Sequence, residues 1–187
     1  MREIFRYLKK SLYKTRGVTF LALIRYRSDV ENLKTFFEMH REKFFAYLMR
    51  LTGDYYLAGD IMQESVTRYM EHYADQGQNM PLLYKIARNL FFDHIKKYSR
   101  MVHNEVDAPD CSNNQEQTIM VREEFRNTLN ALNKLSIDER EILALVADGD
   151  LSYREIASTT GTSEANVKVK VHRARRKLRE ILKGGIS

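Results

Sequence analysis

The chain has 187 residues, 31 Lys or Arg against 25 Asp or Glu for a net charge of +6, and 43% hydrophobic residues, enough for one or two modest cores but not for a large enzyme scaffold. Two prolines and eight glycines leave few turns for a β-rich fold, so the expected class is all-α, built as two small helical domains. The single cysteine, Cys111, excludes an internal disulfide and a multi-thiol zinc site and fits a reducing, cytoplasmic compartment.

Residues 1–28 hold eight Lys or Arg against Glu3 alone. With Tyr7, Leu8, Leu12, Val18, Phe20, Leu21 and Ile24 interspersed, they read as a basic extension that touches DNA or an anionic membrane, or as a disordered or marginally helical leader, the last being preferred. The apolar run from Phe20 to Ile24 is far short of the ~20 residues of a membrane span, and no signal-peptide cleavage site is evident. From Val30, the residues Leu33, Phe36, Phe37, Phe44, Phe45, Leu48 and Leu51 recur at helical spacing until Thr52-Gly53-Asp54 breaks the pattern.

A second helix is expected to place Tyr56, Leu57, Ile61, Met62, Ser65, Val66, Tyr69, Met70 and Tyr73 on one face, before a short, flexible polar turn at residues 75–79. Pro81 suits the first turn of a third helix, continued by Leu82, Leu83, Ile86, Ala87, Leu90, Phe91, His94, Ile95 and Tyr98. These three helices form one bundle over residues 29–100. Residues 101–117 lose periodicity and hydrophobic mass, as a solvated, flexible linker does.

The second domain, residues 118–187, opens with a fourth helix marked by Val121, Phe125, Leu129, Leu132 and Leu135. Ser136 to Glu139 and Ser152 to Glu155 are capping boxes, in which each serine hydroxyl and glutamate carboxylate satisfy free backbone N–H groups at a helix start. The helix opened by Ser152 should stop near Gly161, and Thr162 or Ser163 can cap a long final helix with the inward stripe Val167, Val171, Ala174 and Leu178. Its other faces are cationic. Lys168, Lys170, Arg173, Arg175, Arg176, Lys177 and Arg179 repel one another too strongly to pack together and must face solvent or a polyanion.

A short helix containing small Ala157, a turn at Gly161 and a second helix with Val167 inward make a helix-turn-helix. In such a unit the early residues of the second helix, here Glu164, Ala165, Asn166, Lys168 and Val169, enter the major groove, where amide and ammonium groups pair with purine edges. On charge alone, a solvated or partner-binding basic helix is an equal alternative.

The stretches Leu135-Ser-Ile-Asp-Glu-Arg-Glu-Ile-Leu, Leu151-Ser-Tyr-Arg-Glu-Ile-Ala and Val167-Lys-Val-Lys-Val-His-Arg-Ala-Arg-Arg-Lys-Leu resemble region four of the extracytoplasmic-function (ECF) sigma factors of the sigma-70 family. Upstream, Asp60-Ile-Met-Gln63-Glu64 and Leu83-Tyr-Lys-Ile-Ala-Arg-Asn89-Leu-Phe-Phe-Asp93 resemble sigma region two, in the expected order. The resemblance covers roughly residues 30–182 and implies a sigma-2 bundle joined to a sigma-4 helix-turn-helix. It further implies a factor that binds core RNA polymerase and directs initiation at promoter DNA, normally held inactive by an anti-sigma factor, with no cofactor, metal or small-molecule substrate.

For the minus-35 element the matching positions are Ala165, Asn166, Lys168, Val169, His172 and Arg173, with Tyr153 and Arg154 on phosphates. For the melted minus-10 element they are Gln76 to Met80, including Gln78 and Asn79, and Asn89, which would capture a flipped base, with Lys85 and Arg88 suited to following the phosphate backbone. Asp60, Gln63 and Glu64 lie outside the Ile61, Met62 and Val66 stripe, an acidic edge that suits an Arg-rich partner helix or plain solvent, and the resemblance implies that it docks on the coiled coil of the largest polymerase subunit. Tyr84, Phe92 and Tyr98, interleaved with the basic residues of the third helix, suit stacking on an unpaired base as well as core packing. The chain departs from the family at Leu82, where Trp is frequent, and at Thr160 and Thr162, where aliphatic residues are frequent.

The five histidines form no close pair with a third donor, and neither a Gly-rich phosphate loop nor a serine nucleophile elbow is present, so no enzyme is expected. The alternatives are a conventional helix-turn-helix transcription factor with a dimerising or sensing bundle, and a basic adaptor for another protein.

Overall fold

The structure is a computed structural model that describes residues 20–74, 77–102 and 123–184, all their regular structure being helical. The helices are α1 (Phe20–Thr52), α2 (Tyr55–His72), α3 (Met80–Val102), α4 (Glu123–Asn133), α5 (Ile137–Ala147), α6 (Tyr153–Thr160) and α7 (Glu164–Gly184). Residues 1–19, Gln76, Cys111 and almost all of the expected linker lie outside the described residues. The first helix starts ten residues before Val30, so residues 20–28, expected to be disordered or marginally helical, are part of it. No Gly or Pro interrupts that stretch, and Leu21, Ala22, Leu23, Arg25 and Arg27 are good helix formers.

Local chemistry sets the helix ends. At the end of α1, Gly53 takes φ +70° and its N–H donates to the Met49 carbonyl. Asp54 then caps α2 by accepting from the Leu57 N–H at 2.9 Å. Both capping boxes form, at Ser136–Glu139 and Ser152–Glu155. Gly161 ends α6 in the left-handed conformation, and its N–H and that of Thr162 both donate to the Ala157 carbonyl. Ser163 caps α7 by accepting from the Asn166 N–H.

Replacing Ser152 by alanine is expected to cost about 1 kcal/mol, read as a lower urea midpoint with an unchanged slope. Hydrogen bonds from Ser152 hold the Glu155 carboxyl below its ordinary value, so its contribution is present at neutral pH and is lost as pH falls through that lowered value. The stability gap between wild type and Glu155→Gln should therefore close in acid.

The amino-terminal helices pack α2 and α3 against the second half of α1. Along α2, Ala58, Ile61, Ser65 and Tyr69 are buried. Three expectations for this bundle are corrected. Tyr56 and Tyr73, both assigned to the inward face, are 63% and 38% exposed, Tyr73 lying just past the end of α2, and His94 on α3 is exposed. Tyr84, offered as a stacking residue, is only 2% exposed and packs edge-on against Phe44 and Tyr47 of α1, so it is core. In the carboxy-terminal helices, Val167, Val171 and Ala174 of α7 are buried against α5 and α6, as the 4-3 spacing predicts. One contiguous apolar core runs through both sets of helices, joining α1 to α5 and α3 to α6.

Candidate nucleic-acid interface

Because α7 buries Val167, Val171 and Ala174, the same helical period turns Ala165, Asn166, Lys168, Val169, His172 and Arg173 to solvent. Val169 is 46% exposed, an apolar side chain left open amid cations. This exposed edge is locally ordered. Asn166 Nδ2 donates to Thr162 Oγ1 at 3.1 Å, and Lys168 Nζ lies 2.8 Å from the Glu164 carboxylate. Both contacts are on the surface, where such pairs contribute little. Thr160 donates to the Ile156 carbonyl and Thr162 accepts from Asn166, so hydroxyl hydrogen bonds hold this turn. At the start of α6, Arg154 is exposed and Tyr153 half-buried. Lys177 of α7 pairs with Glu139 of α5 at 2.8 Å, which lowers the Glu139 pKa and ties the recognition helix to its support.

On the amino-terminal helices, Asp60, Gln63 and Glu64 are all exposed along α2, and Glu64 pairs with Arg68 one turn on at 2.6 Å. The expected minus-10 residues are brought together less uniformly. Gln78, Lys85 and Asn89 are exposed. Asn79 is half-buried, and its side chain caps α3 by accepting from the Leu82 N–H at 3.1 Å. Arg88 is also half-buried, with its guanidinium 4.7 Å above the Phe92 ring and Nε bonded to Glu141 of α5. Phe92 is thus partly covered, while Phe91 is buried. An open groove beside these residues is lined by Arg88, Asn89, Phe92, Asp93 and Lys96.

Tyr69, core by its spacing, also engages the turn before α3 through its hydroxyl, which the sequence alone does not assign. The ring is buried on α2, while its O–H donates to the Gly77 carbonyl at 2.6 Å and accepts from the Asn79 N–H at 3.0 Å. This ties down the part of the turn before α3 that had been expected to be flexible. The signal available was the need of any buried tyrosine hydroxyl for a partner, next to a polar turn with unpaired backbone groups.

Among the described residues, no group of three His, Cys, Asp or Glu side chains is arranged to hold a metal, and no helix is long and apolar enough to cross a membrane. A helix-turn-helix with a solvent-facing cationic edge, joined to a helical bundle with an acidic edge, is the architecture of the two-part, helix-turn-helix class of proteins.

Comparison with known proteins narrows this. The family profile described as Sigma-70 region 2 matches residues 36–101, and that described as Sigma-70, region 4 matches residues 125–178. The chain is 34% identical over 143 residues to the ECF RNA polymerase sigma factor EcfG of Rhodopseudomonas palustris, covering 73% of this chain and 77% of that one. It is 29% identical over 155 residues to the ECF RNA polymerase sigma factor SigM of Bacillus subtilis, covering 81% and 95%. The solved structure of the sigma factor RpoE in complex with the anti-sigma factor NepR from Bartonella quintana superposes with a TM-score of 0.67 at 25% identity, over 80% of this chain and 96% of that one. The chain belongs to the ECF group of the sigma-70 family and is an RNA polymerase sigma factor.

Proposed function

We propose that residues 118–187 read the minus-35 element through α7 and residues 29–100 bind core polymerase and the opened minus-10 element, while residues 101–117 tether them. The observation that carries this reading is the division of α7 into a buried valine stripe and an open edge of Asn166, Lys168, Val169, His172 and Arg173. Tyr153 and Arg154 bind phosphates beside that edge. Asp60 and Gln63, with Glu64 and its partner Arg68, supply the surface for a basic helix of the polymerase.

In the amino-terminal helices, Gln78 and Asn89 meet the extruded base while Lys85 and Arg88 hold the backbone. Asn79 acts mainly by capping α3 and shaping the loop. The protein works in the cytoplasm by binding rather than by catalysis, and an anti-sigma factor restrains it, as the RpoE–NepR pair suggests. Run-off transcription with purified core polymerase on a promoter library tests the reading. Promoter-specific transcripts that need both core and this chain are expected, and their absence on every template would refute it.

Tyr69→Phe keeps the ring and removes both hydrogen bonds to residues 77–79. A loss of roughly 0.5–1.5 kcal/mol for each is expected to appear as weaker promoter opening in permanganate footprinting, with far-UV circular dichroism unchanged.

A further inference from the structure

Two large aromatic side chains stand open side by side at the start of α2, Tyr55 at 40% and Tyr56 at 63% exposure. They are braced without being covered. Phe45 of α1 meets Tyr55 edge-on with ring centroids 5.3 Å apart, and Tyr55 meets Tyr56 edge-on at 5.8 Å. One turn on lies Gly59, half-buried in the interior of the helix. Glycine at such a position destabilises a helix relative to alanine. Here neither a positive φ nor a crowded neighbour accounts for it, since a Cβ at Gly59 would meet nothing within 4 Å among the described residues. Its reason lies in what approaches this face from outside.

The helical period says what surrounds that space. Ala58, Ile61, Ser65 and Tyr69 are buried, and the opposite face of α2 carries Tyr56, Asp60 and Gln63 at 4-3 spacing. Gly59 lies three residues after Tyr56 and four before Gln63, the separations at which helical side chains are neighbours. It is the floor of a shallow notch with an aromatic wall, open towards the Asp60 carboxylate. We propose that Tyr55, Tyr56 and Gly59 seat an Arg side chain of the basic polymerase helix, and that this notch, more than the acidic edge beside it, anchors the complex.

The chemistry selects that occupant. A planar guanidinium stacks on a tyrosine face and donates to a carboxylate one turn away, which a compact ammonium does less well. Its methylene stem covers the bare backbone of Gly59, where the missing side chain also lets a partner helix come close. Exposed carboxylates contribute little on their own, whereas aromatic anchors that lose their water on binding carry much of an interface's affinity. Because Phe45 already holds Tyr55 in place, little side-chain freedom is lost when the notch is filled.

The identity of the partner rests on the polymerase-docking reading of Asp60 and Gln63 above, whereas the open rings and the space over Gly59 do not. The test uses the full chain as wild type, Gly59→Ala, Gly59→Leu, Tyr56→Ala, Tyr56→Phe and Asp60→Arg. Affinity for core polymerase is measured by fluorescence anisotropy without DNA, and stability by urea unfolding. Both Gly59 variants should have a higher urea midpoint than wild type and yet bind core more weakly, by about fivefold or more, leucine being the worse. Tyr56→Ala should weaken core binding by roughly 10–30-fold, and Tyr56→Phe, which keeps the ring, should stay close to wild type. A glycine present only for the fold would give the reverse, a lower midpoint or unchanged binding, and either result would overturn the proposal. So would a Tyr56→Ala variant that binds as wild type while Asp60→Arg does not, or light scattering that shows a dimer which Gly59→Leu dissociates. If Asp60→Arg alone is without effect, the acidic-edge reading fails and the notch stands.

Discussion

Val167→Asp is expected to unfold the helix-turn-helix. Val167 is 0% exposed, enclosed between α7 and the helices beneath it, and its burial stabilises the fold by about 1.5–3 kcal/mol. A carboxylate there has neither water nor an opposite charge, at a cost of about 3–5 kcal/mol, a large part of the 5–15 kcal/mol typical of a whole protein. The introduced carboxyl will be driven towards its neutral form, so the loss should ease as pH falls. Val167→Ala, which deletes two methyl groups at ~0.8 kcal/mol each, is the milder control. Val169→Asp is the sharper one, because Val169 lies two positions on but faces solvent. Urea unfolding followed by circular dichroism should rank Val167→Asp far below wild type and leave Val169→Asp close to it. Equal losses at the two positions would show that the inward face has been misassigned.

Promoter recognition should separate base readers from phosphate contacts. Asn166→Ala is expected to lose about 1–3 kcal/mol at its preferred base pair, roughly 5–150-fold in transcription from cognate promoters, and to relax the preference there. Arg154→Ala should weaken all promoters alike and reduce the salt dependence by about one counterion. Run-off transcription across the promoter library at several salt concentrations distinguishes the two. If Asn166→Ala scales every promoter by one factor, Asn166 does not read sequence. Its present partner, the Thr162 hydroxyl, is a surface contact that a base edge can replace.

The features legible from sequence are those made within one or two helical turns. Ser136 with Glu139, Ser152 with Glu155 and the left-handed Gly161 each complete their chemistry among near neighbours, and each forms as expected. The 4-3 spacing of Val167, Val171 and Ala174 chose one face of α7, which left Asn166, Lys168 and Arg173 outward. Periodicity fails where two faces compete for cover. Tyr84 and Lys85 are adjacent on α3 among basic residues, and packing on Phe44 and Tyr47, some forty positions earlier, makes Tyr84 core. Tyr56 fits the apolar pattern of α2, yet none of the described helices covers it, and it is 63% exposed.

By itself the chain's sequence determined the helices, their caps, the inward stripe of the recognition helix and the sigma-factor family, because each depends on residues close together or on short runs of motif. Only the tertiary structure decided that Tyr69 holds the turn before α3 and that Arg88 bonds Glu141, 53 residues away. Such pairings join side chains from separate elements, and their energy depends on distance and burial in space, which the order of residues along a chain does not specify.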